Sequence, residues 1–183
     1  MGKKRKIVLG IILLVILAII GRIIWWDLSM GVVVKHTDYV AMTMDSAIYS
    51  SDLIVLAEAS GDTKVKIVRE KQNNGKWIKS PYEETKFKID EVYLGEENIQ
   101  NIVCRDDNAG DSIKFEKGEK AILFLGYDSQ KDAYYFVAGS QGICVYDEEK
   151  GKYVSGTLEF EDMEKEIERY ENTPEEERQI KGR

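Results

Sequence analysis

Apolar residues fall into three patterns along this 183-residue chain. The first is a block. From Ile7 to Trp26 the run is broken only by Gly10, Gly21 and Arg22. Twenty residues rising ~1.5 Å each span ~30 Å, the thickness of a bilayer's hydrocarbon core. Lipid offers the backbone no partner, so the block predicts a transmembrane helix over 7–26 despite its many Ile and Val. The second pattern is strand-like. DLIVLAEA (52–59) is a compact apolar run, Ser60-Gly61-Asp62 signals a turn, and 63–69 alternates Val65 and Ile67 with Lys64 and Lys66. Residues 53–69 therefore predict a hairpin. Asn73-Asn74-Gly75 and Ser80-Pro81 mark a loop over 71–82. A strand follows from Thr85 to Leu94. Phe87 and Ile89 share one parity and Val92 and Leu94 the other, so the inward face flips near Asp90-Glu91, where a β-bulge would restore the register. Further strands are predicted at 99–104, at AILFLG (121–126, too apolar to face water on either side), at 134–139 and at 142–146. The third pattern is helical: Phe160, Met163, Ile167 and Tyr170 recur at spacings of three and four.

Shorter signals complete the map. Residues 41–51 predict a short helix with Met44, Ala47 and Ile48 on one face. Residues 27–40 read as a tether with an extended piece at Val32–Val34. Thr173-Pro174-Glu175-Glu176 has a capping-box arrangement, which predicts a second short helix from Pro174. Strands every eight to twelve residues, with turns between them, indicate a small barrel or sandwich rather than a parallel sheet with crossover helices.

Charge adds orientation. Lys3, Lys4, Arg5 and Lys6 precede the apolar block, while Asp27 follows it with no cation until Lys35. The N-terminus is expected in the cytoplasm and the C-terminal domain outside the cell. Trp25 and Trp26 sit where an interfacial aromatic belt belongs, and Arg22 is close enough to that end to extend its guanidinium to the headgroups. A cleaved signal peptide has a shorter apolar region and a small-x-small site, so an uncleaved signal-anchor is expected. The chain carries 26 basic and 33 acidic residues, and residues 27–183 have a net charge of −12. An outward-facing acidic domain is a poor nucleic-acid binder, and Trp77 with Lys76 and Lys79 makes only one small basic-aromatic spot.

The order of these segments resembles a known family. A short helix precedes SDLIV (51–55), and the strand KFKIDEVYLGE (86–96) leads to NIV (101–103). KGEKAILFL (117–125), YYFVAGSQG (134–142) and a closing strand follow. The pattern resembles small membrane-anchored or secreted proteins of Gram-positive bacteria with a netrin-like, metalloproteinase-inhibitor-like OB domain, over about residues 40–146. The resemblance implies a mainly β fold: a small OB-like antiparallel Greek-key barrel with flanking helices, after one transmembrane helix. The corresponding segments are a basic N-terminus (1–6), the anchor (7–26), the tether (27–40), the barrel (41–146) and an acidic helical segment (147–183). The eukaryotic inhibitors chelate a protease zinc through a free N-terminal Cys. Here no Cys lies near Asp27, so that activity is not carried over.

Candidate chemistry is sparse. Cys104 and Cys144 either form a disulfide, closing 39 intervening residues and contributing ~4 kcal/mol, or are two buried thiols. No Cys-x-x-Cys occurs, and His36 stands alone in the tether. Asp106-Asp107-Asn108-Ala109-Gly110-Asp111 resembles a calcium loop, but the twelfth position is Lys117 and the glycine position is Asp111, so a polar turn is expected. The Glu-rich stretch 159–177 reads as the solvated face of a helix. No phosphate loop, Gly-x-Ser-x-Gly or His-Glu-x-x-His motif is present. The expectation is a non-catalytic binding module without cofactor or metal, contacting membrane lipid through its helix and a protein or envelope component through its domain. No small-molecule substrate is identified. The alternatives are an envelope enzyme using surface carboxylates such as Asp90-Glu91, or an inhibitor or immunity factor presenting loop 71–82 to an envelope protease.

Overall fold

A computed structural model describes residues 3–32, 41–107 and 114–180, with residues 3–9 as backbone only. The chain divides into two compact units, Met1–Val33 with Val68–Ser80, and Val34–Ile67 with Pro81–Arg183. The protein is mainly β, with one N-terminal apolar helix of a length that can cross a membrane.

In the first unit, helix α1 (Lys3–Ser29) continues three residues beyond the predicted span. None of the residues in its stretch Gly10–Ser29 is buried within the protein. A two-residue strand β1 (Gly31–Val32) follows, pairing in parallel with Ile78 and Lys79. The expected tether is thus structured through Val32, and Val33, Val34 and His36 lie outside the described residues.

In the second unit, α2 (Met44–Tyr49) is capped by the Thr43 side chain, which accepts the Ser46 N–H. Two long strands follow, β2 (Leu53–Lys71) and β3 (Trp77–Leu94), both shared with the first unit. This corrects two sequence expectations. Residues 53–69 are one strand, not a hairpin, because Gly61 takes a positive φ of 77° and lets the strand bend without reversing. Before the bend, residues 53–58 pair with 120–125; beyond it, the Thr63 hydroxyl lies 3.0 Å from that of Thr85 on β3. The reversal is instead at 72–76, so most of the expected loop 71–82 is strand. The Gln72 N–H donates to Lys76 O and the Gly75 N–H to Gln72 O. Pro81 lies inside β3, between the pairing with β1, which ends at Lys79, and the pairing that begins at Glu83.

Strand β4 (Asn101–Asp106) pairs antiparallel with β3. Then come β5 (Lys120–Asp128), β6 (Ala133–Phe136), a 3-10 turn (Gly139–Gly142) and β7 (Ile143–Asp147). Pairings β2–β3, β3–β4, β4–β6, β6–β5 and β5–β2 form a closed circuit of five strands, of which β4 and β6 run parallel. Closure leaves none of the five with two free edges. Inside lies a core of Leu53, Val55, Phe87, Ile102, Leu123, Leu125 and Phe136, with the Phe87 and Phe115 rings edge to face at 4.9 Å. Ile89 and Val92, three residues apart on β3, both pack on this core, as a flip of the inward face requires, but Leu94, expected to share the face of Val92, packs on the second core instead.

A second core covers the outer face of β5. Ile122 and Phe124 point away from the circuit and are fully buried, which is why AILFLG has no polar side. Part of the cover comes from the segment expected to be only acidic and helical. Strands β8 (Lys152–Ser155) and β9 (Leu158–Phe160) extend the sheet from β7, and Phe160 belongs to β9 rather than to the helix. Helix α3 (Met163–Asn172) starts where Asp162 caps the Lys165 N–H, and its Met163 joins the second core. The expected second helix is one 3-10 turn, Glu175–Glu177; Thr173 ends α3 by donating to Arg169 O instead of capping a new helix.

Candidate functional site

Strands β5 and β6 are joined by a tight turn that shapes a surface pocket in the second unit. The Asp128 carboxylate accepts the N–H groups of Gln130 and Lys131, at 2.9 and 3.2 Å, which folds the turn. Asp132 closes it at a φ of 49° and accepts a hydrogen bond from the Tyr127 hydroxyl. Beyond the turn Tyr134 lies opposite Tyr127, with ring centroids 5.2 Å apart. Tyr135 lies opposite Gly126. A Cβ at Gly126 would come within 2.4 Å of the Tyr135 ring, so the glycine allows that ring to lie flat across β5. Tyr127 and Tyr135 keep 42% and 45% of their surface exposed, which leaves their ring faces open to a ligand.

The other wall is the end of β4. The Arg105 guanidinium sits 3.7 Å above the Tyr82 ring and donates to Asp107 at 2.7 Å. Lys131 reaches Asp107 at 2.8 Å and Asp128 at 3.4 Å. Arg105, Asp107, Tyr127, Asp128, Lys131, Tyr134 and Tyr135 help to line a cavity of about 650 Å³, within the range of ordinary ligand pockets. Burial pushes the Asp107 carboxyl up, but the Lys131 and Arg105 hydrogen bonds outweigh it and hold the pKa below the usual value. Asp128 is held low in the same way, burial being outweighed by the N–H groups of its own turn and by Lys131. Burial raises the Tyr134 phenol. The pocket thus offers aromatic faces, hydroxyls and a charged set of two cations, Arg105 and Lys131, beside three carboxylates, Asp106, Asp107 and Asp128.

The residues singled out from the sequence lie elsewhere. Cys104 and Cys144 are free and buried. Cys104 lies opposite Tyr134 in the inner core, and Cys144 lies opposite Ile122 in the outer one, so the sheet itself separates them. Asp90 pairs with Lys120 at 2.6 Å, and Glu91 accepts the Tyr93 hydroxyl at 3.0 Å; neither lines the pocket. Arg22, Trp25 and Trp26 gather along the last turns of α1, with Trp25 70% exposed. The side chains of Lys3, Lys4, Arg5 and Lys6 lie outside the described residues, as do Asn108–Asp111 of the acidic loop. Among the described residues no group of three or more His, Cys, Asp or Glu side chains gathers to hold a metal ion.

Sequence patterns missed Arg105, Tyr127, Lys131 and the tyrosine pair. One signal was available: neighbouring tyrosines on a strand face opposite sides, so Tyr134-Tyr135 must present one ring away from the core. No protein-family model, curated protein or solved structure matches this chain.

Proposed function

We propose that this protein is a single-pass membrane protein displaying a netrin-like OB barrel outside the cell, where it acts as a non-catalytic binding module for a protein or envelope component. The five-strand circuit around one core supports the OB barrel part of this reading. The exposed apolar surface of α1 and the four cations in its first turn and a half support the anchor and its N-in orientation. The observation that carries the binding role is the tyrosine-lined pocket. Two of its three carboxylates, Asp107 and Asp128, share Lys131 and are both held below the usual value, whereas acid–base catalysis by a carboxylate pair asks for pKa values driven apart.

The test uses intact cells. A membrane-impermeant maleimide should label Gln130→Cys and leave Gly2→Cys untouched; the reverse pattern overturns the orientation. A photo-crosslinking residue at Gln130 should then capture a discrete partner, and Tyr127→Ala/Tyr135→Ala should abolish the adduct. The same residue at Glu148, which does not line the pocket, should capture nothing. Equal adducts from both positions overturn the pocket as the binding site.

A further inference from the structure

The small basic-aromatic spot at Trp77 gains meaning from its place in the first unit. Asp27, directly after the two tryptophans of α1, binds both Arg69 and Lys79; the Arg69 Nε lies at 2.9 Å and the Lys79 amine at 2.7 Å. Trp26 and Trp77 meet edge to face, with centroids 6.0 Å apart. The parallel pairing of β1 with Ile78 and Lys79 adds a backbone connection. The turn of the β2–β3 hairpin is therefore fastened to the end of the helix where an interfacial aromatic belt is expected.

Its composition is unlike the rest of the chain. Residues 68–80 hold four cations and one acid, whereas the chain as a whole is at −7. The first unit has nine basic and two acidic residues, and the second therefore has 17 basic and 31 acidic. Arg69 and Lys79 share the single carboxylate of Asp27, but Lys71 and Lys76 form no ion pair among the described residues. Both are exposed, and Trp77 beside them keeps 41% of its surface open. A tryptophan flanked by unpaired lysines is suited to the boundary between acyl chains and anionic headgroups.

We propose that the tip of the β2–β3 hairpin is a second membrane contact, in which Lys71, Lys76 and Trp77 engage anionic lipid headgroups of the bilayer that α1 enters. The proposal rests on α1 spanning that bilayer. Charge complementarity and attachment to the helix end select the lipid surface as the occupant.

Full-length protein in vesicles tests it, with brominated phosphatidylcholine as a contact quencher of tryptophan fluorescence. W25F/W26F leaves Trp77 as sole reporter, and W77F leaves the two helix tryptophans. With phosphatidylglycerol present, both variants should be quenched. In phosphatidylcholine alone, Trp77 quenching should fall while the helix tryptophans stay quenched. K71Q/K76Q on the W25F/W26F background should lower partition of the hairpin onto the anionic surface about 30-fold, at about fivefold per lysine. Circular dichroism should show this variant folded, because neither lysine makes an ion pair. Quenched helix tryptophans with an unquenched Trp77 in anionic vesicles would overturn the hairpin contact and leave the anchor standing. An unquenched W77F overturns the spanning helix and the hairpin contact with it.

Discussion

Asp45 shows how one side chain fixes the relation of two helices. It is 5% exposed, and its carboxylate receives Arg169 of α3 at 2.7 Å and the Gln179 N–H at 2.7 Å. Burial raises its pKa, yet these bonds outweigh burial and keep it below the ordinary 3.8. A group with a depressed folded pKa stabilises the fold above its unfolded value and loses that contribution as the pH falls through the folded one. Asp45→Asn should lower the thermal midpoint at pH 7, equivalent to about 1–2 kcal/mol given that Arg169 is partly exposed. Below about pH 3.8 the difference from wild type should shrink, as read by circular dichroism melts. The cysteines give a second residue-scale test. Burial pushes the Cys144 thiol up to about 12 and Cys104 higher still. Neither should react with a thiol reagent at pH 8 in the native state, both should react after unfolding, and reductant should leave the melting temperature unchanged. Two thiols that appear only on reduction would show a bond where a sheet stands between them.

At the scale of elements, the β5 strand explains why the C-terminal segment belongs to the domain. Its odd positions fill the circuit and its even positions, Ile122 and Phe124, need a second cover. Leu158, Phe160 and Met163 provide part of it. Ending the chain after Asp147 should leave these side chains open to water and give an aggregating product, assayed by size-exclusion chromatography and dye binding. A soluble, cooperatively melting truncation would contradict this account of the second core. Gly61 offers a milder perturbation. Alanine there must hold a positive φ, and its Cβ would approach the Cβ of Lys117 to 2.7 Å. Gly61→Ala should destabilise by about 1–3 kcal/mol in chemical denaturation. The same glycine explains the misplaced hairpin: Ser60-Gly61-Asp62 has turn composition, but continued pairing on both sides makes it a bend within a strand. Turn residues report a positive φ, and only the neighbouring strands determine whether the chain reverses there.

Across the whole molecule, charge is segregated. The unit containing α1 and the hairpin turn is basic, and the β-rich unit is acidic. Quenching of Trp77 on anionic vesicles should therefore weaken as salt rises from 0.01 to 1 M, over which the Debye length shrinks from about 30 to about 3 Å. Quenching of Trp25 and Trp26 should persist, because insertion of an apolar helix does not depend on screened charge. Local sequence determined the features that depend on composition or a short period. The apolar block, the AILFLG strand with no polar face and the helical stripe of Met163, Ile167 and Tyr170 follow from how much apolar surface each segment must hide, whereas Val65 and Ile67 alternate along a strand and still keep 64% and 62% of their surface exposed. Only the tertiary structure decided where the long hairpin reverses, that the five-strand circuit closes, and that the two cysteines lie on opposite faces. It also brought Arg105, Tyr127, Lys131 and Tyr135 together from β4, β5 and β6. These outcomes depend on which distant strand each segment pairs with, and pairing partners leave no periodic trace in the segments themselves.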